Sequence, residues 1–341
     1  NHYLKRQAVW LGLGLTAGLV ASRFDYRYWR KLAVPVALFS AALLAMVLLP
    51  GVGVTIKGST RWLRFGPINF QPSELAKFAS IAVLAWWMAR NQRQALQCWR
   101  GWVTPVAMLG VFCVLILLEP DFGTTMLVGA VGMGIMFLGG TRIGYLLVTG
   151  LLGMAAMGLM IAQDPERRGR ILAFLDPEKY ADDEAHQLIQ ALLAFVEGGA
   201  RGVGLGQSMQ KRYYLPEAHT DFIYAIIAEE AGFGTTLFVL LLFIVVFVCG
   251  LYISLRVHDR FAKLLSFGIT MSLSAQALLN IGVVTGSLPT KGIALPFISF
   301  GGSSLVMSLA MVGILVNIAR QTTDEFGDEE RRSIKDRAHH L

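Results

Sequence analysis

An aspartate, Asp221, stands where a long polar stretch of the chain gives way to a long apolar run. His219 and Thr220 precede it directly, and Glu229 and Glu230 follow about two helical turns later. An ionisable side chain at membrane depth is costly, so it indicates a functional site, and one carboxylate suffices as a general base. The alternative is that Asp221 caps the helix that follows it. The residues alone leave both interpretations open.

A second polar segment, Gln71-Pro-Ser-Glu74, leads into an apolar run that contains Lys77. A lysine one turn inside a membrane segment needs a carboxylate partner. The candidates are Glu74, which lies three residues earlier, and Asp221, which would have to reach Lys77 across the bundle. The proline and serine of this segment also suit a helix N-terminus, so a purely structural role is the alternative.

Positive side chains near these segments indicate a negatively charged substrate. Arg61 and Arg64 precede the second segment, and Lys291 lies in the stretch 289–304, which interrupts an apolar run with two prolines and three glycines. Broken backbone at membrane depth is tolerated mainly where it faces a cavity or is covered by protein. Close helix packing is the alternative explanation for the small residues of this stretch, which include Ser303.

The composition identifies the elements that must position these residues as membrane helices. The chain has 341 residues, of which 55% are hydrophobic and only 16% charged, and its mean hydropathy is +0.55. Soluble domains carry about 25% charged residues. This composition excludes a soluble enzyme, a disordered chain and a nucleic-acid-binding protein. The formal net charge of +7 is typical of loops that face anionic lipid.

We predict an all-α, polytopic transmembrane bundle in which residues 1–341 form one integral membrane domain. A bilayer core of about 30 Å needs about 20 apolar residues as a helix. The predicted spans are 8–22, 33–54, 74–89, 103–118, 122–140, 143–163, 222–255, 264–285 and 296–319. Nine spans with a start outside the cell suggest a missing first helix, and ten spans in the intact protein.

Lysine and arginine predict the orientation of these spans. They cluster in the connections 23–31, 90–102 and 256–263, at Arg142, and in the tail 320–341. Alternation of the spans places all of these on one side, which is the cytoplasm. The residues around Arg61, the loop 164–221 and Lys291 then lie outside.

The long external loop, 164–221, contains two recognisable patterns. Apolar residues at helical spacing predict a helix over 182–197 that lies in the lipid interface or covers the protein body. The glycine-rich run 198–206 follows. A compact turn is the expected structure of this run, because a nucleotide-binding loop would require a preceding strand.

Two further features are expected to be structural. Glu119-Pro-Asp121 separates two spans and is expected to be a simple turn. The three cysteines, Cys98, Cys113 and Cys249, show no Cys-x-x-Cys spacing. We expect them to be reduced packing residues that form no disulfide and no metal site.

Several blocks together resemble the SEDS family, to which the cell-division protein FtsW and the elongation protein RodA belong. The blocks, which extend from about Leu4 to Ala319, are Leu4-Lys-Arg-Gln, Arg61-Trp62, Gln71-Pro-Ser-Glu74, Glu119-Pro-Asp-Phe-Gly-Thr124, His219-Thr-Asp-Phe222, Ala228-Glu-Glu-Ala-Gly232, Pro289-Thr-Lys-Gly292 and Gly301-Gly-Ser-Ser304. The Pro-Thr-Lys-Gly form is more similar to the cell-division branch. Phe300 replaces the usual Tyr and Ala191 a frequent Ser, and neither change alters a charge.

The resemblance implies a ten-helix peptidoglycan glycosyltransferase that polymerises lipid II, a disaccharide-peptide on undecaprenyl pyrophosphate. It would act at the outer face of the bacterial cytoplasmic membrane, at the division site. The essential aspartate of the family corresponds to Asp221, and three of its conserved residues in the first external loop correspond to Arg61, Glu74 and Lys77. The implied partners are a class B penicillin-binding protein, which supplies the crosslinking, and other membrane proteins of the division machinery.

The chemistry of glycosyl transfer agrees with these residues. The acceptor hydroxyl must lose a proton as it attacks the donor, in an inverting reaction for which Asp221 is the candidate general base. Arg61, Lys77 and Lys291 are candidates for holding the pyrophosphate. Glu74, Gln71 and Ser303 complete the predicted substrate-binding set.

Three questions stay open at this level. A divalent cation, Mg²⁺ or Mn²⁺, could share the work of the cations, although no ligand cluster in the sequence demands one. A lipid II flippase and a non-catalytic scaffold of the division machinery are the alternative functions. The Asp221→Asn variant separates them, because only a polymerase must lose activity while it stays folded.

Overall fold

The computed structural model describes residues 2–56, 59–66, 68–97, 99–181 and 185–339. Lys57, Cys98 and the acidic start of the predicted loop helix, 182–184, lie outside these ranges. The helices are α1 (His2–Arg23), α2 (Tyr26–Val47), α3 (Pro72–Arg90), α4 (Gln92–Gln97), α5 (Arg100–Leu118), α6 (Phe122–Leu138), α7 (Ile143–Gln163), α8 (Pro165–Leu175), α9 (His186–Gly198), α10 (Ile223–Arg256), α11 (Arg260–Val284) and α12 (Gly302–His339). Three strands, β1 (Gly53–Ile56), β2 (Ser59–Phe65) and β3 (Ile68–Phe70), lie between α2 and α3.

Each of the nine predicted spans coincides with one long helix, namely α1, α2, α3, α5, α6, α7, α10, α11 and α12. Among the described residues, six of these helices are long and apolar enough to cross a membrane by length and composition alone, and α6 is a shorter apolar helix. The prediction of a polytopic helical membrane protein is therefore confirmed.

Helix α3 forms the centre of the bundle. It packs against α2, α5, α6, α11 and α12, and most of its residues are buried. Because α3 is surrounded by other helices, it can carry Glu74 and Lys77 without exposing either charge to lipid. Helix α7 is the opposite case, since it buries none of its residues and packs lightly on α6 and α8.

The predicted end of the second span is wrong. Helix α2 ends at Val47, and the chain turns through Gly51, whose φ of 85° lies in the left-handed region. It then forms an antiparallel sheet in the order β1-β2-β3, in which Leu63 pairs with both Gly53 and Phe70. A helix prediction based on hydropathy does not detect these strands, because each has at most seven residues.

The last predicted span also begins too early. The residues 285–301 are not helical, and α12 starts at Gly302. Prolines and glycines prevent this stretch from forming a regular helix, and its backbone finds partners elsewhere in the fold. The polar tail predicted after Ala319 continues α12 to His339.

The predicted loop helix is confirmed as α9, but only part of its predicted apolar face is buried. That face comprises Ala185, Leu188, Ile189, Leu192, Leu193 and Val196. Leu188, Ala191 and Ala194 are buried, and α9 packs against α10 and α11. Leu193 and Val196 are exposed instead. The small buried residues of α9 allow it to approach α10 closely. Helix α9 therefore covers α10 and α11, and larger apolar side chains such as Leu193 and Val196 point away from them.

The predicted cytoplasmic connections meet at one end of the bundle. Arg30 of the first connection forms an ion pair with Asp259, at 2.7 Å from Oδ2. Arg260 donates to the carbonyl of Gly139, in the turn that precedes Arg142. The grouping of these connections is thus confirmed, and the assignment of that end to the cytoplasm stays a prediction.

Cysteine labelling tests this orientation. In a variant whose native cysteines are replaced by serine, a cysteine at Gln207 should react with a membrane-impermeant maleimide in intact cells. A cysteine at Arg320 should react only after lysis. Both positions are exposed, so accessibility of the side chain does not limit the labelling. The reverse pattern would overturn the orientation.

Candidate functional site

Asp221 lies half-buried at the start of α10, at the end opposite the cation-rich connections. The cap position of α10 is occupied by Phe222, whose side chain makes no capping hydrogen bond. Asp221 thus lies one residue before that position. Its carboxylate packs directly against Gly292, where an added Cβ would stand 2.8 Å from Oδ2.

Two amides of α11 hold the backbone around this carboxylate. Asn280 Nδ2 donates to the carbonyl of Asp221 at 2.7 Å and to that of Ile293 at 2.6 Å. Gln276, one turn earlier, donates to the carbonyl of Ala294 at 2.8 Å. Both amides are buried. They tie the start of α10 to the non-helical residues 285–301, which contain Lys291 and are called the broken segment below.

This pair of amides was not predicted from the sequence. Gln276 and Asn280 are four residues apart on a predicted span, a spacing that places them on one face of the helix. Amides within a membrane helix usually bond across to a neighbouring element. The spacing of these two amides could have identified them from the sequence, whereas a hydropathy average does not detect it.

Lys77 is paired with Glu74, the nearer of its two predicted partners. Its Nζ lies 2.7 Å from Glu74 Oε2, and it donates to Gln276 Oε1, also at 2.7 Å. Lys77 is 3% exposed. The alternative ion pair with Asp221 is replaced by an indirect link, from Lys77 through Gln276 to the broken segment. Glu74 lies three residues before Lys77 on the same helix, so this pair forms without an approach of α10 to α3.

Arg61 binds the turn that was expected to be purely structural. Its Nε donates to the carbonyl of Glu119 at 2.9 Å, and its Nη2 donates to that of Pro120 at 2.6 Å. Nη1 lies 3.9 Å from Asp121 Oδ2. Asp121 in turn caps α6 by accepting from the backbone and hydroxyl of Thr124. The turn thus caps a helix and also fixes the guanidinium.

Lys291 lies beside the same turn. Its Nζ contacts Met126 Sδ. Burial lowers the pKa of Lys291, and the carboxylate of Asp121 opposes that shift. Arg61 and Lys291 therefore flank Asp121 from two separate elements, and Lys291 joins this group to Gly292 and Asp221.

Glu119 is a second residue whose contribution was not predicted from the sequence. Its side chain is buried, and neither carboxylate oxygen has a hydrogen-bond partner among the residues that the structure describes. Burial, helped by the charge of Asp121 and opposed by Arg61, raises the pKa of Glu119 to about 8. A carboxyl with that pKa is mostly protonated at pH 7, so it adds little negative charge near the two cations.

Gln71 and Ser303 act on the backbone in this structure. The amide of Gln71 donates to Ser303 Oγ at 3.2 Å, and Ser303 Oγ donates to the carbonyl of Asn69 at 3.5 Å. These contacts hold the start of α3 against the start of α12. They position the polar segment that carries Glu74.

The broken segment is also bonded to the residues just before Asp221. Ser299 Oγ donates to the carbonyl of Thr220 at 2.6 Å, and the amide of Phe300 donates to the carbonyl of His219 at 2.9 Å. These bonds, together with those of Asn280, fix the chain on both sides of the carboxylate. This explains how a non-helical stretch persists at the end of two membrane helices.

The glycine-rich run is a turn, as expected, and it supports a break in α10. At Gly232 the backbone has a φ of 78° and a ψ of 177°, which interrupts the helix. The freed amide of Phe233 donates to the carbonyl of Gly199, and the amides of Val203 and Gly204 donate to the carbonyls of Glu229 and Glu230. Glycines allow this approach, since a Cβ on Gly202 would collide with backbone.

Glu229 uses its charge to hold the segment that leads to Asp221. It is 1% exposed, and its carboxylate accepts from Ser208 Oγ, from the amide of Met209 at 2.7 Å and from that of Gln210 at 3.3 Å. Charge-assisted bonds of this kind are about twice as strong as neutral ones. The role of Glu229 is thus to hold residues 208–210 in place.

A cavity of about 250 Å³ lies immediately before Asp221. It is lined by Lys211, Leu215, Glu217, Ala218, His219, Thr220 and Phe300. Burial and the nearby charge of Lys211 lower the pKa of His219, and Glu230 opposes this shift. His219 is therefore mostly neutral at pH 7.

The described side chains do not fit a resident divalent cation. Within the part of the chain that the structure describes, no group of three or more His, Cys, Asp or Glu side chains could hold a metal. Two neighbouring acids, Glu119 and Asp121, share their surroundings with Arg61 and Lys291. The cations next to these two acids disfavour a bound metal ion.

The chain is similar to known proteins over nearly its whole length. A family model for cell cycle proteins of the FtsW, RodA and SpoVE type matches residues 1–324. Relatives from Geobacter metallireducens and Legionella pneumophila, both named probable peptidoglycan glycosyltransferase FtsW, are each 41% identical to it. The alignments cover 93% of this chain in both cases, and 85% and 81% of the two relatives.

Solved structures share the fold. A chain from work described as "Structural coordination of polymerization and crosslinking by a peptidoglycan synthase complex" matches with a TM-score of 0.80 at 29% identity, covering 94% of this chain and 90% of that one. The rod shape determining protein RodA of Thermus thermophilus matches with a TM-score of 0.69 at 28% identity, covering 94% of this chain and 89% of that one.

Proposed function

The chain belongs to the FtsW, RodA and SpoVE family of cell cycle proteins, and we propose that it is a peptidoglycan glycosyltransferase of cell division. It polymerises lipid II at the outer face of the bacterial cytoplasmic membrane, at the division site. The proposal is supported by the names of its relatives and by a multi-pass helical fold that carries its charged site at one end of the bundle.

The observation that carries the mechanism is the placement of Asp221. Its carboxylate lies against Gly292, next to Lys291 in the chain, and its backbone is fixed by Asn280. A carboxylate whose backbone is held in place can accept a proton without first reorganising. We therefore assign Asp221 as the general base.

The reaction is an inverting displacement. As the acceptor hydroxyl oxygen forms a bond to the anomeric carbon of the donor, its proton passes to the carboxylate of Asp221. The bond between the anomeric carbon and the pyrophosphate oxygen breaks, and the lipid pyrophosphate leaves with the electron pair. Asp221 then releases the proton to water.

Arg61 and Lys291 stabilise the charge that develops on the pyrophosphate. Arg61 is already fixed by the carbonyls of the 119–120 turn, so it presents a preorganised guanidinium. Lys77 is assigned a different role from Lys291. It is buried and ion-paired with Glu74, so it positions α3 and the broken segment through Gln276 and does not contact the pyrophosphate.

A class B penicillin-binding protein is the proposed partner, together with other membrane proteins of the division machinery. The structurally similar chain belongs to a complex described as coordinating polymerization and crosslinking. This chain supplies the polymerisation, and the partner supplies the transpeptidation.

The role of Lys291 can be tested by its neutral variant. Lys291→Gln should raise the KM for lipid II about tenfold or more, because one charge-assisted contact to an anion contributes about 1.5–3 kcal/mol. The wild-type KM should rise with ionic strength, and the variant should show a smaller rise because one attractive charge is gone.

Two control variants make this result specific. Arg64→Gln removes an exposed cation from the same end of the bundle and should leave KM nearly unchanged. Lys291→Arg keeps the charge and should recover most of the binding. If the Lys291→Gln variant keeps the wild-type KM at every salt concentration, Lys291 does not bind the pyrophosphate.

A further inference from the structure

A second cavity, of about 470 Å³, opens at the end of the bundle that lies away from Asp221. It is found where α10 ends and α11 begins, and its lining includes Gln92, Leu255, Arg256, His258, Arg260 and Lys263. This volume is typical of sites that hold a small ligand, about 300–1,000 Å³. The glycosyl transfer proposed above makes no use of this cavity.

The charge of this cavity is strongly positive. Arg256, Arg260 and Lys263 lie within eight residues of one another and all line it. The acid of the same connection, Asp259, is already engaged, because it pairs with Arg30 and accepts the amide of Ala262 to cap α11. The cations of the lining are therefore not neutralised by the acid nearest to them in the chain.

Arg260 is held in place by one hydrogen bond and has a second donor that is unpaired within the described part of the chain. Arg260 Nη2 donates to the carbonyl of Gly139, which fixes the guanidinium against the end of α6. Arg260 Nε is buried and has no hydrogen-bond partner within the described part of the chain. A buried donor without an acceptor is costly, and an anionic oxygen would satisfy it.

We propose that this cavity binds the phosphate of an anionic phospholipid headgroup from the inner leaflet. The proposal rests on the cytoplasmic orientation of this end of the bundle. The cavity lies at the ends of two membrane helices, which is the level of the headgroups. Arginine and lysine are the side chains that bind phosphate.

The remaining lining suits the rest of a phospholipid. Leu255, which is 61% exposed on the last turn of α10, can contact the glycerol and the first carbons of the acyl chains. A free phosphate would make no use of this apolar side chain. An acidic peptide of a cytoplasmic protein would match the charge, but it would not place its apolar part at the level of the membrane.

Native mass spectrometry of the purified full chain tests this proposal. The probe is phosphatidylglycerol. The wild-type protein should bind at least one molecule of phosphatidylglycerol, and its affinity for this lipid should exceed its affinity for phosphatidylcholine. The double variant Arg256→Gln/Lys263→Gln should bind phosphatidylglycerol about tenfold more weakly, because two charged contacts are lost. Arg260 is left unchanged, since it also holds Gly139.

The matched control is the double variant Arg23→Gln/Arg142→Gln. It removes two exposed cations from the same end of the bundle and outside the cavity lining. It should keep wild-type affinity. Equal thermal unfolding of both double variants would show that the difference is not one of folding.

Three outcomes would overturn the proposal. The first is wild-type affinity for phosphatidylglycerol in the cavity variant, and the second is an equal loss in both double variants. The third is competition by millimolar inorganic phosphate with no preference for phosphatidylglycerol, which would identify a free-phosphate site. None of these measurements uses lipid II, so a failure here is separate from a failure of the proposed polymerase function.

Discussion

Replacement of Asp221 by asparagine is expected to lower the rate of lipid II polymerisation about 10²–10⁴-fold, the usual contribution of a general base. The amide keeps the size of the carboxylate and fits the same space against Gly292, but it cannot accept the proton of the acceptor hydroxyl. The KM for lipid II should change little, because the proposed pyrophosphate contacts are made by Arg61 and Lys291.

This result is measured as glycan polymer formed by the purified protein together with the proposed penicillin-binding partner. Glu197→Gln, which neutralises an exposed acid of the same loop, is the control and should retain full activity. Binding of the partner and thermal unfolding should be unchanged in both variants. Near-normal polymerisation by the asparagine variant would place the base elsewhere, and Glu74 would be examined next despite its ion pair with Lys77.

The same variant separates the alternative functions. A flippase would still transport lipid II, because that process requires no proton transfer from an acceptor hydroxyl. A non-catalytic scaffold would still assemble its complex and would show no polymer even as the wild-type protein. Only a polymerase combines wild-type activity with its loss in Asp221→Asn.

Replacement of Asn280 by alanine should abolish most of the polymerase activity although Asn280 is not proposed to touch substrate. Its amide is the shared donor to the carbonyls of Asp221 and Ile293. Without it, the buried carbonyl of Ile293 and the part-buried carbonyl of Asp221 lose a partner, and an unpaired buried carbonyl costs about 1–3 kcal/mol. The start of α10 and the broken segment then shift relative to each other, and we expect kcat to fall about 100-fold, since small displacements of a catalytic group have effects of this size.

Asn317 offers a matched control at the other end of the bundle. It also bridges two backbone groups, accepting from the amide of Tyr26 at 3.0 Å and donating to the carbonyl of Ser22 at 3.0 Å. Asn317→Ala should lower the melting temperature about as much as Asn280→Ala and leave kcat intact. Equal loss of kcat in the two variants would mean that Asn280 contributes to stability alone.

Much of this architecture is determined by the sequence alone. Apolar runs of about 20 residues can be satisfied only by membrane helices, so the nine spans and the all-helical bundle follow from hydropathy. Lysine and arginine group the connections, and the ion pair of Arg30 with Asp259 bears out that grouping. A carboxylate at the entry to a span likewise makes Asp221 a candidate from its position in the chain, although the residues alone left open whether it caps the helix.

Only the tertiary structure decided how the site is built. The break at Gly232 interrupts a run that hydropathy predicts as one continuous span, and the non-helical residues 285–301 extend into the first six residues of the predicted span 296–319. They persist because distant backbone and side chains, such as the glycine-rich turn and Asn280, accept or supply their hydrogen bonds. A pattern of local composition contains no information about such partners, because they lie beyond the few residues over which a local pattern extends. For the same reason the choice between Glu74 and Asp221 as the partner of Lys77 was fixed by the packing of the helices and not by the sequence.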